Sequence, residues 1–208
     1  MARPPDQRFH GTIAGLGSTS GVRVVVGWWQ ASPHGAFADV MIAEPDGTRV
    51  LLAPDTEVAD FVAGTYSFDR VEVAPVAVAR TAATVHVRAG ALDLSYDVGS
   101  RAPLGRLLRL VPPGLATSPG WSRVTDPVAR LLLRGVRTRG SARGGRTEVY
   151  GATDLHRIVR LEGTWQGRRL GDLRPVTPEP GFGFGSTPPV PSVTTLVTTV
   201  RDAPSLTP

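Results

Sequence analysis

The chain has 208 residues, 41% hydrophobic and 20% charged, the balance of a folded protein long enough to bury a sizeable core. It contains no cysteine, and all 23 residues in the lysine-plus-arginine count are arginine, which excludes disulfides, thiolate nucleophiles and metal sites, Schiff-base lysines and a lysine-bearing P-loop. The net charge of +5 is uneven, with 7 arginines against 11 acidic residues in 1–100 and 16 against 7 in 101–208, and a basic half of this kind suits an anionic partner.

No run approaches the ~18 apolar residues of a membrane-spanning helix. The opening Met1-Ala2-Arg3-Pro4-Pro5-Asp6 leads into polar sequence rather than an apolar signal core, so a cytoplasmic protein without a transmembrane segment is expected. Residues 1–10 read as a flexible tail, 11–200 as a single β-rich domain, and 201–208 as a second tail. The loop Gly15-Leu16-Gly17-Ser18-Thr19-Ser20-Gly21 precedes a strand. A dinucleotide fingerprint needs the reverse order, so this loop reads as a turn. Val22 to Trp29 is a valine-rich run typical of a strand covered on both faces. Phe37 to Ala43 and Thr48 to Ala53 flank Glu44-Pro45-Asp46-Gly47 and predict a hairpin, with Gly47 in the left-handed position. A short helix to about Ala63 follows, capped by Asp55 or Thr56 and stopped by Gly64, with Val58 and Phe61 facing inward.

Phe68 to Val78 reads as a strand. Thr81 to Arg88 then pairs with Ala91 to Val98 across a two-residue Ala89-Gly90 loop. That register sets Val85 opposite Leu94 and Val87 opposite Leu92 on one face, with His86 opposite Asp93 and Thr84 opposite Ser95 on the other. Pro103 to Val111 carries a helical stripe of Leu104, Leu107, Leu108 and Val111. Thr125-Asp126-Pro127 begins a second helix with Val128, Leu131 and Leu132 as its apolar side. Strands resume at 146–151, 155–162 and 164–170, and Ser192 to Val200 forms a last one. Roughly nine to eleven strands without βαβ alternation predict a mainly β, β-rich α+β fold: an antiparallel curved sheet or barrel with two or three short inserted helices.

Two groups of residues carry chemistry. Arg130, Arg134 and Arg137 fall on one helical face, with Arg139, Arg143 and Arg146 in the glycine-rich stretch after it. Paired guanidinium hydrogen bonds can orient a small anionic or amphipathic ligand, although a solvated helix face shows the same stripe. Glu148, Tyr150, Asp154 and His156 share parity and converge on one face of an uninterrupted strand, where a histidine–carboxylate pair with a tyrosine can do acid–base catalysis. A turn at Gly151-Ala152-Thr153 would break that parity. The four histidines, His10, His34, His86 and His156, have no metal-ligand spacing, so neither a metal nor a cofactor is expected. Trp28, Trp29, Trp165, Phe182 and Phe184 can line an apolar cavity or fill the core.

Three functions fit: a binding module with a barrel-like cavity, an enzyme on a similar ligand using the His156 pair, or a surface adaptor for nucleic acid or anionic membrane. Aromatic residues are 6% of the chain and are not interleaved with the arginines, which argues against nucleic acid.

The runs Gly135-Val136-Arg137-Thr138-Arg139-Gly140-Ser141, Tyr150-Gly151-Ala152-Thr153-Asp154 and Phe182-Gly183-Phe184-Gly185-Ser186-Thr187-Pro188 resemble an uncharacterised family of high-GC actinobacterial proteins. That resemblance implies no particular activity. Gly163-Thr164-Trp165 matches the Gly-x-Trp of lipocalin-like barrels, where it marks the first strand; here it falls late in the chain and reads as coincidence.

Overall fold

Thirteen strands and two helices make up the described residues of the computed structural model, which are 6–111, 139–141, 147–183 and 187–201. In chain order they are β1 (Gln7–Ser18), β2 (Arg23–Ala31), β3 (Phe37–Ala43), β4 (Arg49–Ala53), α1 (Thr56–Thr65), β5 (Arg70–Val73), β6 (Val76–Thr81), β7 (Thr84–Ala89) and β8 (Leu92–Arg101). After them come α2 (Pro103–Leu108), β9 (Arg139–Ser141), β10 (Thr147–Trp165), β11 (Arg168–Arg169), β12 (Leu173–Arg174) and β13 (Ser192–Arg201). One sheet runs β5-β4-β3-β2-β1-β13-β10-β8-β7-β6 and rolls into a half-barrel, the curved, largely antiparallel architecture expected. Its one parallel pair is β4 with β5, with α1 as the crossover between them.

The two edge strands of the rolled sheet are neighbours in sequence. The expected single strand Phe68 to Val78 breaks at Ala74-Pro75, because proline offers no ladder N–H and the Ala74 N–H donates instead to the Ala53 carbonyl (2.9 Å). β5 therefore ends one side of the sheet and β6 begins the other. Side chains of alternating strand positions fill the concave side: Leu16, Val24, Val26, Val40 and Leu52 meet Val87, Leu92 and Leu94, with Trp165 at the margin. This is why the valine run of β2 is buried on both faces. Val24 and Val26 belong to this cluster, and Val25 packs on the other side with Ala43 and Phe182.

The β3–β4 hairpin is as expected, with Gly47 at φ 93°. Helix α1 is capped by Asp55, whose Oδ1 accepts from the Val58 N–H at 2.8 Å, and it runs through Gly64 to Thr65. Val58 and Val62 press onto Leu51 and Ala53 on the convex side of β4. Asp55→Ala is expected to lower stability by about 1 kcal/mol, measured by urea unfolding.

Four sequence expectations are corrected. β1 begins at Gln7, inside the segment read as a tail, since its first residues pair with β13 and Asp6 accepts a two-pronged ion pair from Arg201 (2.8 and 2.9 Å). Most of the expected Gly15–Gly21 turn is strand, and only Thr19-Ser20-Gly21 turns. The β7–β8 hairpin turns at Gly90-Ala91, two residues on in register. Val85 faces Tyr96, Val87 faces Leu94 and His86 faces Ser95, while Asp93 lies opposite Arg88. A shift of two keeps every side chain on its expected face, and Gly90 takes the left-handed first position of the turn (φ 51°). Lastly, α2 stops at Leu108 and leaves Leu107 and Leu110 exposed. It docks through Gly105, where a Cβ would lie 2.4 Å from the Leu155 carbonyl oxygen.

Candidate functional site

The first two expected strands, 146–151 and 155–162, merge into one 19-residue strand, β10, that pairs with both β13 and β8. The third, 164–170, is instead a hairpin in which the end of β10 turns at Gln166-Gly167 and pairs with β11. Its register against β13 steps from Ala152 opposite Leu196 to Asp154 opposite Thr195, so Thr153 is an extra residue, a β-bulge. One inserted residue reverses parity. Glu148 and Tyr150 face the side of the sheet that α1 covers, with Val200 and Thr198 as their partners. Asp154 and His156 face the other side, opposite Thr195 and Val193. The expected four-residue convergence is therefore corrected to two separate pairs.

The Asp154–His156 pair belongs to an ion-paired rim. Arg101 donates from Nε to both Asp154 oxygens (2.8 and 3.1 Å), and the Leu155 N–H adds a third bond at 2.8 Å. Partial burial pushes the Asp154 carboxyl up, but these bonds and the nearby Arg101 and His156 hold it below the ordinary carboxylate range. His156 places Nδ1 3.1 Å from the Gly99 carbonyl and Nε2 3.6 Å from Asp154. An Nδ1–H held by a carbonyl fixes the tautomer. An aspartate already engaged by an arginine and a backbone amide is a poor proton acceptor.

The Glu148–Tyr150 pair is different. Glu148 is 3% exposed, yet no ion pair reaches it among the described residues. Its oxygens lie 2.9 Å from the Tyr66 hydroxyl and 3.2 Å from that of Tyr150, and the two hydroxyls are 2.8 Å apart. Tyr66 comes from the C-terminal end of α1, where its backbone N–H caps the helix on Val62. Four oxygens thus share four contacts. An ionised Glu148 leaves only two hydroxyl protons for those four contacts, whereas a protonated Glu148 supplies a third. Burial pushes the Glu148 carboxyl up to about 7, against the downward pull of Tyr66 and Tyr150. Both phenols are held well above their ordinary range, by burial first and Glu148 second.

A second buried acid stands across the same face. Asp39 is 1% exposed, in a strand otherwise made of Phe37, Ala38, Val40, Met41, Ile42 and Ala43. Its Oδ1 accepts from the Trp29 indole N–H at 3.0 Å, and its Oδ2 has no hydrogen-bond partner among the described residues. Burial raises this carboxyl to about 7, with the Trp29 bond pulling the other way, and its charge acts on the Tyr150 phenol. Thr198, opposite Tyr150 on β13, is 3% exposed, and its hydroxyl is likewise unpartnered there. Gly11 and Gly27 make the room: a Cβ at Gly27 would lie 2.4 Å from Asp39 Oδ1, and one at Gly11 would lie 2.9 Å from the Trp29 ring.

Sequence reasoning missed Tyr66, Asp39, Trp29 and Thr198. A signal existed for Asp39, a lone acid on the buried parity of an apolar strand. Tyr66 had none, because its role depends on where α1 sits. Arg130, Arg134, Arg137, Arg143 and Arg146 lie outside the described residues, as do Phe184 and the second expected helix; Arg139 is described only as backbone paired with Val149. Of the other aromatics, Trp165 joins the interior cluster and donates to Glu44 (3.0 Å), and Phe182 packs against Phe68. His86 lines a shallow polar groove of about 230 Å³ with Ser95, Asp97, Arg160 and Glu162. No helix among the described residues is long and apolar enough to cross a membrane.

No protein-family model and no curated protein matches the chain. Among solved structures it is similar to an acetoacetate decarboxylase from Legionella pneumophila, at 7% identity and a TM-score of 0.45 over 95% of this chain and 85% of that one. It is also similar to an AttH candidate from Nitrosomonas europaea, at 10% identity and a TM-score of 0.32; the match takes in 98% of this chain and about half, 53%, of that one.

Proposed function

We propose that the protein binds a small molecule through hydrogen bonds at the centre formed by Asp39, Glu148, Tyr66, Tyr150 and Thr198. The observation that carries this reading is the Asp39 carboxyl: fully buried, held at one oxygen by Trp29, and without a partner at the other among the described residues. A buried polar atom left unpaired costs roughly 1–3 kcal/mol, and the same face of the sheet carries a second buried acid, Glu148, and an unpartnered buried hydroxyl, Thr198. An occupant that satisfies Asp39 Oδ2 recovers that cost on binding. The sequence-based expectation of an anion held by Arg130, Arg134 and Arg137 remains a proposal that rests on residue spacing. The geometry supports a ligand that donates hydrogen bonds.

Native mass spectrometry of gently purified protein tests the reading. A reproducible added mass is expected on the wild type and absent from Asp39→Asn, which keeps the shape and removes the acceptor charge. An adduct retained in Asp39→Asn would place the ligand elsewhere.

A second reading, catalysis, is favoured by one feature. A carboxyl near 7 linked to two phenols can give or take a proton at neutral pH. In this reading Glu148 is the acid or base, with Tyr66 and Tyr150 relaying its proton, and His156 has no part.

A further inference from the structure

We infer that the occupant of this centre is a small organic cation bearing a primary ammonium group. The inference rests on the binding reading above and adds the ligand's chemical class.

The hydrogen-bond inventory comes first. When ionised, Asp39 and Glu148 together offer four carboxylate oxygens, and the Thr198 hydroxyl can accept as well as donate. The donors that face them among the described residues are the Trp29 N–H, already given to Asp39 Oδ1, and hydroxyl protons that Glu148 and the tyrosine pair absorb. What is left over is Asp39 Oδ2, an acceptor once that carboxyl is ionised, and the Thr198 hydroxyl, which can accept or donate. An ammonium brings three N–H donors and no acceptor, an alcohol brings one donor, and a carboxylate brings acceptors only. The unpartnered carboxylate oxygen matches the ammonium, and the Thr198 hydroxyl is compatible with it.

Charge points the same way. The chain has no lysine, and no arginine or histidine pairs with Asp39 or Glu148 among the described residues. Once ionised, two buried acids with no protein cation are the arrangement in which a ligand's positive charge has most to compensate. A divalent metal fits less well. It asks for six or more oxygen ligands, and no group of three metal-binding side chains gathers among the described residues.

Matched probes in two sizes test the class: methylamine, methanol and acetate, then benzylamine, benzyl alcohol and benzoate, each titrated calorimetrically at about pH 7.5. At least one amine is expected to bind ten-fold or more tightly than its alcohol and carboxylate partners. Its affinity should fall at least ten-fold in Asp39→Asn and measurably in Thr198→Val, a variant that keeps the volume. Binding should also release protons, read as a dependence of the apparent enthalpy on buffer ionisation heat. An alcohol or carboxylate that binds more tightly, with the same dependence on Asp39, overturns the ammonium class and leaves the binding centre standing. If no amine binds better than its partners, the inference fails. If in addition the wild type carries no Asp39-dependent adduct in the mass spectrum, the binding centre fails with it.

Discussion

Between pH 4.5 and 7 the wild-type protein is expected to lose stability, and Glu148→Gln is expected to lose markedly less. Burial lifts the Glu148 carboxyl from 4.5 to about 7, so across this window the native state holds a proton that the unfolded chain has already released. Stability falls with pH wherever the native state binds more protons. The contribution is fully present below the unfolded value and is gone once pH has passed through the folded one. A rise of this size corresponds to on the order of 3 kcal/mol. Asp39, lifted from 3.8 to about 7, acts in the same direction, so Glu148→Gln removes one share and Asp39→Asn the other. Acids with lowered values act in the opposite direction and in a separate range. Asp69, bound by Arg49 and held at about 2, loses its contribution only as pH falls through that value. Urea unfolding from about pH 4 to pH 8.5 is the measurement. Glu148→Gln should exceed the wild type by on the order of 3 kcal/mol at the alkaline end and match it within about 1 kcal/mol at the acid end. His156→Ala should leave that difference unchanged, because His156 lies on the opposite face and shares no partner with Glu148. A flat wild-type profile over the window would mean that Glu148 is ionised throughout.

The architecture was legible because its signals are local. Pro45-Asp46-Gly47 specifies a turn whatever surrounds it, Asp55 caps a helix from three residues away, and alternation of Val85, Val87 and Ala89 with polar neighbours marks a half-buried strand. The β7–β8 register was missed by two residues because period-2 alternation is blind to such a shift, and only Gly90's place in the turn decides it. The site was legible by half. Glu148 and Tyr150 are two residues apart and share a face in any strand, so their pairing survived. Asp154 and His156 were lost to a bulge at Thr153, which no periodicity announces, since the extra residue shows only in the register of β10 against β13. Asp39 and Tyr66 reach the centre through a fold that brings β3, α1 and β10 together over more than a hundred residues of sequence. That is information about packing, and spacing along the chain does not carry it.

Gly27→Ala tests whether the Asp39–Trp29 pair is held by the shape of the sheet beneath it. The added Cβ would lie 2.4 Å from Asp39 Oδ1 and 2.8 Å from Trp29 Nε1, closer than atoms tolerate, so the carboxyl or the indole must move. Asp39 is 1% exposed and lies in a well-packed strand, which leaves it little room to give. Overpacking of this kind costs roughly 1–3 kcal/mol, and breaking the indole bond strands a buried carboxyl for roughly another 1–3. A loss of about 3 kcal/mol or more is therefore expected by urea unfolding at neutral pH. Asp39→Ala removes the nearest obstacle and frees the indole to shift over the new methyl. In that background Gly27→Ala should cost much less, with a coupling of at least 1 kcal/mol in the double-mutant cycle. Additive losses would show that Gly27 is needed for the twist of β2 rather than to seat Asp39. Coupled losses would tie the glycine to the acid, as expected if β2 is shaped to hold a buried carboxyl with one oxygen fastened and the other left to meet a guest.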